Sequence, residues 1–284
     1  MGMAFPTLFA LLAALSNALA TVLQRRAAQS VPQSQGFRPS LILDLLRRPV
    51  WVAGVSTVIV AGLFQAVALA TGPLSLVQPL FIMELPLALL LAPVLQHRRP
   101  SGALLLKLLV VVAGLGLALL SAAPTGNRTQ VSIDRWLPVL AASAGAVVAL
   151  AATAMRRSPG RFRAACLGTA TAICFALTAG LMKTAVHILG EAGLGGFLTS
   201  WQTYAFGASG VCAMLLLEHA LQSGPLIASQ PALTLGDATM SFLLGVLVYE
   251  ERVRTGWWLL PLTLGIGIVI AGVLALVRTE TAAP

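Results

Sequence analysis

Residues 80–91 read LFIMELPLALLL, an apolar run interrupted by a single ionisable side chain, Glu84. In the core of a soluble protein that glutamate is an oddity. In a helix that spans a bilayer it lies near the midplane, where an ionisable residue is a functional candidate by default. Pro86, two residues later, is a second departure from a plain apolar helix. The remainder of the chain decides which setting applies.

Hydrophobic residues make up 58% of the 284 positions and charged residues only 10%, with a mean hydropathy of +0.90. Soluble domains carry about 25% charged residues, so a water-exposed surface is not provided for. Nine apolar stretches can be marked, near residues 4–24, 50–71, 73–96, 102–121, 136–155, 164–188, 201–221, 225–249 and 256–277. Each approaches the roughly 20 helical residues that cross a hydrocarbon core. The connections are short and leave no soluble domain. The expected fold is therefore all-α, a polytopic membrane protein with about nine transmembrane helices.

A net charge of +9 would suit nucleic acid if it lay on one polar face, but the arginines fall between apolar spans. They read as topology signals. Numbering loops by the span they follow, the odd loops and C-terminal tail hold twelve arginines (25, 26, 38, 47, 48, 98, 99, 156, 157, 161, 163 and 278). The even loops hold four: Arg128, Arg135, Arg252 and Arg254. This bias puts the odd loops and the C-terminus in the cytoplasm and the N-terminus outside. Trp51, Trp136, Trp201, Trp257 and Trp258 all stand at span starts, where interfacial anchors belong. The stretch LSNALA (15–20) looks like a cleavage site, yet the arginines follow it instead of preceding it, so residues 4–24 are kept as the first span. A hidden tenth span in PSLILDLLRR (39–48) is disfavoured, because ten residues with Asp44 and two arginines suit an interfacial helix better.

The chain also repeats itself. ALATGPLSLVQPLFIM (68–83) and ALQSGPLIASQPALTL (220–235) agree at seven of sixteen positions, including Gly72/Gly224, Pro73/Pro225, Gln78/Gln230 and Pro79/Pro231. Leucine-rich composition alone does not generate matched Gly-Pro and Gln-Pro pairs. A weaker echo aligns SNALATVLQRRAA (16–28) with CFALTAGLMKTAV (174–186), and Arg25 with Lys183. Residues 1–121 (spans one to four) then form repeat A, 122–163 a connector with span five and a basic loop, and 164–284 (spans six to nine) repeat B. An odd number of spans separates the mates, so the copies insert upside down relative to each other. Inverted repeats are a recurring architecture of secondary transporters, with the substrate site near the midplane between repeats.

With its tandem repeat, its TGPL…QPL and SGPL…QPAL joints and the acidic YEERVRTGWW before the last span, the chain resembles the drug/metabolite transporter (EamA-like) superfamily. The nine-span layout, with Trp51 opening span two and Lys183 in GLMKTA, is most similar to the NIPA-type magnesium transporter branch. That branch carries an acidic residue in its second helix, whereas residues 60–69 here read VAGLFQAVAL and contain none. The resemblance implies a cell-membrane permease working by alternating access.

Glu84 and Asp237 lie near the centres of spans three and eight, offset by one position in the repeat. An ionised side chain at the bilayer centre costs roughly 2.5–3.5 kcal/mol on insertion scales. Two such residues imply a wet cavity, a partner or protonation. Their bland reading is a neutral acid hydrogen-bonded to a neighbouring helix. Gln78-Pro79 and Gln230-Pro231 mark helix breaks that either aim backbone groups at a ligand or merely kink the helix. Asn17, mid-helix in span one, is a candidate ligand whose blander role is an interhelical hydrogen bond. Lys183 is expected to snorkel to the outer interface, with a role against an anionic substrate as the alternative. Glu218 beside His219 reads as a proton relay or an interfacial pair. Cys166, Cys174 and Cys212 show no metal or disulfide spacing and read as buried free thiols. The glycines of GIGIVIAG (265–272) follow no strand and read as packing notches.

No Ser/His/Asp set or Walker loop appears, so no enzyme is expected, and no cofactor. The expected function is proton-coupled transport of a small metabolite or drug. One alternative is a divalent-cation pathway in which Glu84 and Asp237 would be metal ligands. The other is a non-transport scaffold or lipid-handling subunit. The expected partners are the substrate and the lipid bilayer, with homodimer formation left open and no nucleic acid.

Overall fold

In a computed structural model of the chain, residues 3–29, 49–126, 128–224 and 226–281 are described. The regular elements among them are helical. They run as α1 (Ala4–Gln29), α2 (Pro49–Thr71), α3 (Leu74–Leu80), a 3-10 turn (Phe81–Met83), α4 (Glu84–Val94), α5 (Gly102–Ala122), α6 (Ile133–Met155), α7 (Arg161–Thr199), α8 (Trp201–Ser223), α9 (Leu226–Leu247), a second 3-10 turn (Gly256–Trp258) and α10 (Leu259–Thr281). Eight helical segments among the described residues are long and apolar enough to cross a membrane, with α3, the turn and α4 acting together as one 21-residue segment. This fits a multi-pass membrane protein. α9 is not among the eight, and its Gln230 and Asp237 are the polar residues that lower its hydropathy. The suggested interfacial helix at 39–48 lies outside the described residues.

Helix association in a bilayer relies on close packing of small residues, because lipid tails are as apolar as leucine. The chain is built accordingly. α1 buries Ala10, Ala13, Ala14, Ala18 and Ala20, and α7 buries alanines from Ala164 to Ala185. α1 packs on α2 and α4, α7 packs on α8 and α9, and α5 packs along α10. In the last pair, a Cβ on Gly265 would come within 2.6 Å of Ala118 N and one on Gly272 within 2.6 Å of Val111 Cγ2. The GIGIVIAG glycines at these positions are packing notches. Leu106, Leu109, Leu120, Val148 and Leu264 point away from the bundle, as a lipid-facing surface requires.

Proline shapes the third segment. Pro73 precedes α3 in an extended conformation, and Pro79 interrupts its hydrogen-bond ladder. The chain answers by tightening: Phe81 N–H reaches back to the Gln78 carbonyl, an i−3 bond, and the 3-10 turn follows. Glu84 begins the next helix. The corresponding Pro231 is absorbed within α9.

Two expectations about connections are corrected. The connection expected between the spans at 164–188 and 201–221 is helical for most of its length: α7 runs to Thr199, interrupted only at Gly193, whose φ of 62° and ψ of −165° are accessible to glycine. Trp136, expected as an interfacial anchor, is fully buried. Gly180 leaves space for its ring, whose Cη2 lies 3.2 Å from where a Cβ would stand.

The connections sort onto two faces. A pair of backbone hydrogen bonds of 2.8 Å between Thr125 and Arg252 joins the α5–α6 and α9–α10 connections at one face. Gly160 N–H, before α7, donates to the Ser223 carbonyl at the α8–α9 joint on the other. The first face is called here the 72/251 face, because the α2–α3 joint also lies on it, and the second the 160/224 face.

Candidate functional site

Glu84 sits where the third segment resumes after its 3-10 turn, facing α1. Asn17 Nδ2 donates to Glu84 Oε2 at 2.8 Å. One turn along α1, Thr21 stands on the same side, its Oγ1 donating to the Asn17 carbonyl at 3.0 Å. Asn17 and Thr21 are four apart and therefore share a helix face. Asp237, on α9, lies within electrostatic reach of Glu84. It accepts from Ser241 Oγ at 3.3 Å, one turn further along α9. The two acids thus come from segments that touch: α9 packs on α3 and on the turn before Glu84. Neither acid is fully enclosed. Both retain partial exposure, as does Asn17.

A second polar step lies alongside. Gln78, nearly fully buried, accepts at Oε1 from Gln65 Nε2 at 3.4 Å, linking α3 to α2. Gln230, partly exposed, is seven residues before Asp237 and so on the same face of α9. Asn17, Gln78, Glu84 and Asp237 are therefore distributed over the central helices α1, α3, α4 and α9. These groups can accept and donate hydrogen bonds, and can take up or release protons at two carboxyl groups. Among the described residues, no group of three or more His, Cys, Asp or Glu side chains is gathered as a metal site.

Lys183 is placed differently from its sequence expectation. Its side chain is wholly buried and does not snorkel to the interface. Nζ donates to Glu251 Oε1 at 2.9 Å and stands 4.9 Å from the centre of the Tyr249 ring. Glu251 in turn caps α3: Leu74 N–H donates to Oε1 at 2.6 Å, and Ser75 N–H and Oγ donate to Oε2 at 2.8 and 2.6 Å. An isolated ammonium would not be buried in this way; a carboxylate partner makes burial tolerable. The carboxylate also meets orphan donors at a helix N-terminus, where negative charge is favoured. Lys183 is thus committed to Glu251 and is not gathered with Glu84 and Asp237.

Local sequence explains the arrangement. α9 ends at Leu247, and Glu250 adopts a left-handed φ of 53°. This turns two consecutive acids in opposite directions. Glu250 reaches Arg128 and Arg135 at the surface, while Glu251 points inward. Gly245 supplies the room, since a Cβ there would overlap Glu251 Oε2 and come within 3.1 Å of Ser75 N. Tyr249 closes the cluster: its hydroxyl donates to the Gly180 carbonyl at 2.5 Å and lies 2.9 Å from Thr184 Oγ1. Its ring packs edge-on against Trp136, which packs in the same way on Trp201.

Glu218 is exposed on α8, away from the acids, as is His219, whose Nδ1 lies 2.7 Å from the Leu215 carbonyl. Cys174 and Cys212 approach to 3.8 Å between α7 and α8. All three cysteines are free thiols; Cys174 is buried, while Cys166 and Cys212 are only half-buried. Sequence reasoning passed over Glu251, Tyr249, Ser241 and Gln65 as functional candidates. The doubled acid in YEER was the available signal for Glu251, but nothing local announces which of two adjacent glutamates turns inward.

No family model matches the chain, and no solved structure matches it. The chain is similar to a protein of Corynebacterium glutamicum described as uncharacterized, with 29% identity over 278 residues, covering 96% of this chain and 95% of that protein.

Proposed function

We propose that this protein is a secondary transporter, a permease of the drug/metabolite type that moves a small metabolite or drug across the cell membrane by alternating access. The observation that carries the reading is the pair Glu84 and Asp237, on segments that pack together, within electrostatic reach and partly exposed. Intramembrane carboxyl groups are costly, and they are found where a pathway or a proton relay needs them. The internal repeat supports the same reading, with the Gln-Pro segments as mates on touching helices. In this reading the arginine-rich 160/224 face is cytoplasmic and the 72/251 face is outside.

Coupling follows from the chemistry. A carboxyl group that meets alternately a wetter and a drier setting binds a proton in one and releases it in the other. Glu84 and Asp237, each hydrogen-bonded to a neutral partner, keep that hydrogen bond with or without the proton. The test is flux in proteoliposomes, with and without an imposed pH gradient, across small metabolites, cationic drugs and divalent ions. Gradient-driven flux that disappears in Glu84→Gln or Asp237→Asn supports proton coupling. Flux of no compound in the panel, with protein correctly reconstituted, would favour the scaffold alternative.

A further inference from the structure

We propose that Lys183 and Glu251 form a latch that closes the bundle on the 72/251 face, so that the structure is a state sealed there and looser on the opposite side. This rests on the transport reading, because a latch of this kind matters only if the chain alternates between two closures.

The packing is uneven along the third segment. On the latch side, α3 buries Leu74, Ser75, Leu76, Val77, Gln78 and Leu80, and the turn buries Ile82 and Met83. Beyond Glu84, α4 buries only Pro86. In α9 only the central residues 232–240 are all at least partly exposed, between Ser229 and Pro231 buried on one side and Ser241, Leu244, Val248 and Tyr249 buried on the latch side. Glu84 stands at the boundary between the packed half of the third segment and its looser continuation, and Asp237 within the partly exposed centre of α9.

The latch has the parts of a two-state contact. It joins three units that would separate if this face opened: α7 through Lys183, the α9–α10 connection through Glu251, and the start of α3 through Leu74 and Ser75. The Tyr249, Trp136 and Trp201 rings cover it. All its bonds converge on one carboxylate, so one displacement of the α9–α10 connection releases them together. The repeat supplies no equivalent acid at the other face, because Glu250-Glu251 correspond there to Arg98-Arg99. The two closures are therefore chemically different, and only the 72/251 face is held by a buried ion pair among the described residues. Packed contacts with discrete arrangements are what convert a local change into a global switch.

The test reads accessibility, with no need for a substrate. Gln78 lies between the latch and Glu84, so Gln78→Cys is introduced into a chain whose three native cysteines are replaced by alanine. A membrane-impermeant maleimide is applied from either side, in right-side-out and inverted vesicles. With the latch intact, labelling from the 72/251 side should be slow. In Glu251→Gln, which keeps one acceptor oxygen for the start of α3 but removes the charge and the second acceptor, it should rise at least about tenfold, as a closed state loses differential stabilisation. Lys183→Met should do the same. If a single variant fails to accumulate, the double variant Lys183→Met/Glu251→Gln leaves no unpaired buried charge and serves in its place. Unchanged labelling in the variants that fold, or rapid labelling of the parent from the 72/251 side, overturns the latch. Changed labelling without flux of any compound would instead overturn the transport reading and leave the latch standing.

Discussion

Asn17 Nδ2 and Glu84 Oε2 meet at 2.8 Å across 67 residues of chain, tying the middle of α1 to the first turn of α4. An amide is a neutral partner, so it accommodates the glutamate whether or not it carries a proton. A lysine or arginine at position 17 would hold Glu84 ionised and, in the proposed coupling, stop it from taking up a proton.

Replacing that partner should therefore tune transport without abolishing the fold. Asn17→Asp should add a third acid beside Glu84 and shift the pH profile of flux, whereas Asn17→Leu should lower gradient-driven flux by about ten- to a hundredfold, the size of a lost hydrogen bond to a charged group, roughly 1.5–3 kcal/mol. A pH–rate profile in proteoliposomes checks both. Identical profiles in parent and variants would remove Asn17 from the site.

Truncating Glu251 should cost more than truncating Glu84. Glu251→Ala leaves the Lys183 ammonium buried and unpaired and removes the cap of α3, a class of change that costs about 3–5 kcal/mol. The double variant Lys183→Met/Glu251→Gln should recover much of that loss. Thermal unfolding of detergent-solubilised protein measures the ranking, and equal melting temperatures for the single and double variants would contradict it.

Glycine substitutions should separate sharply by position. Gly245→Ala places a methyl against Glu251 Oε2 and Ser75 N and should lower the melting temperature. Gly116→Ala and Gly267→Ala meet nothing within 4 Å. There the better helix propensity of alanine should leave stability unchanged or slightly improved.

Cys174 and Cys212, 3.8 Å apart, should cross-link under copper-phenanthroline oxidation and fasten α7 to α8. Titration of denatured protein should then find two fewer free thiols, with Cys166 remaining. Loss of thiols in Cys174→Ala or Cys212→Ala at the same rate would show a different pairing.

Much of the architecture was legible in the chain because a bilayer imposes a simple rule: a helix that spans it must be apolar for about 20 residues. That rule exposes Glu84 and Asp237 as exceptions by composition alone. The Gly-Pro and Gln-Pro pairs likewise mark the joint at 72–73 and the turn that follows Pro79, since proline acts on its own backbone. Apolarity does not report what a helix end rests against. Asn17 could be read as an interhelical hydrogen bonder, but its partner could not be named.

Lys183 shows where local reading ends. Near the end of an apolar span a lysine ordinarily snorkels, because water is close and solvating the ammonium there is cheap. Here a partner 68 residues away arrives through a left-handed turn at Glu250, with space left by Gly245, and the pair is buried instead. The sequence by itself determined that the chain is built of apolar helices and that Glu84 and Asp237 interrupt two of them, consequences of solvent preference along one chain. Only the tertiary structure decided that Trp136 is buried, that Glu251 faces inward and that Lys183 is spoken for, because these depend on which distant side chain fills the same space.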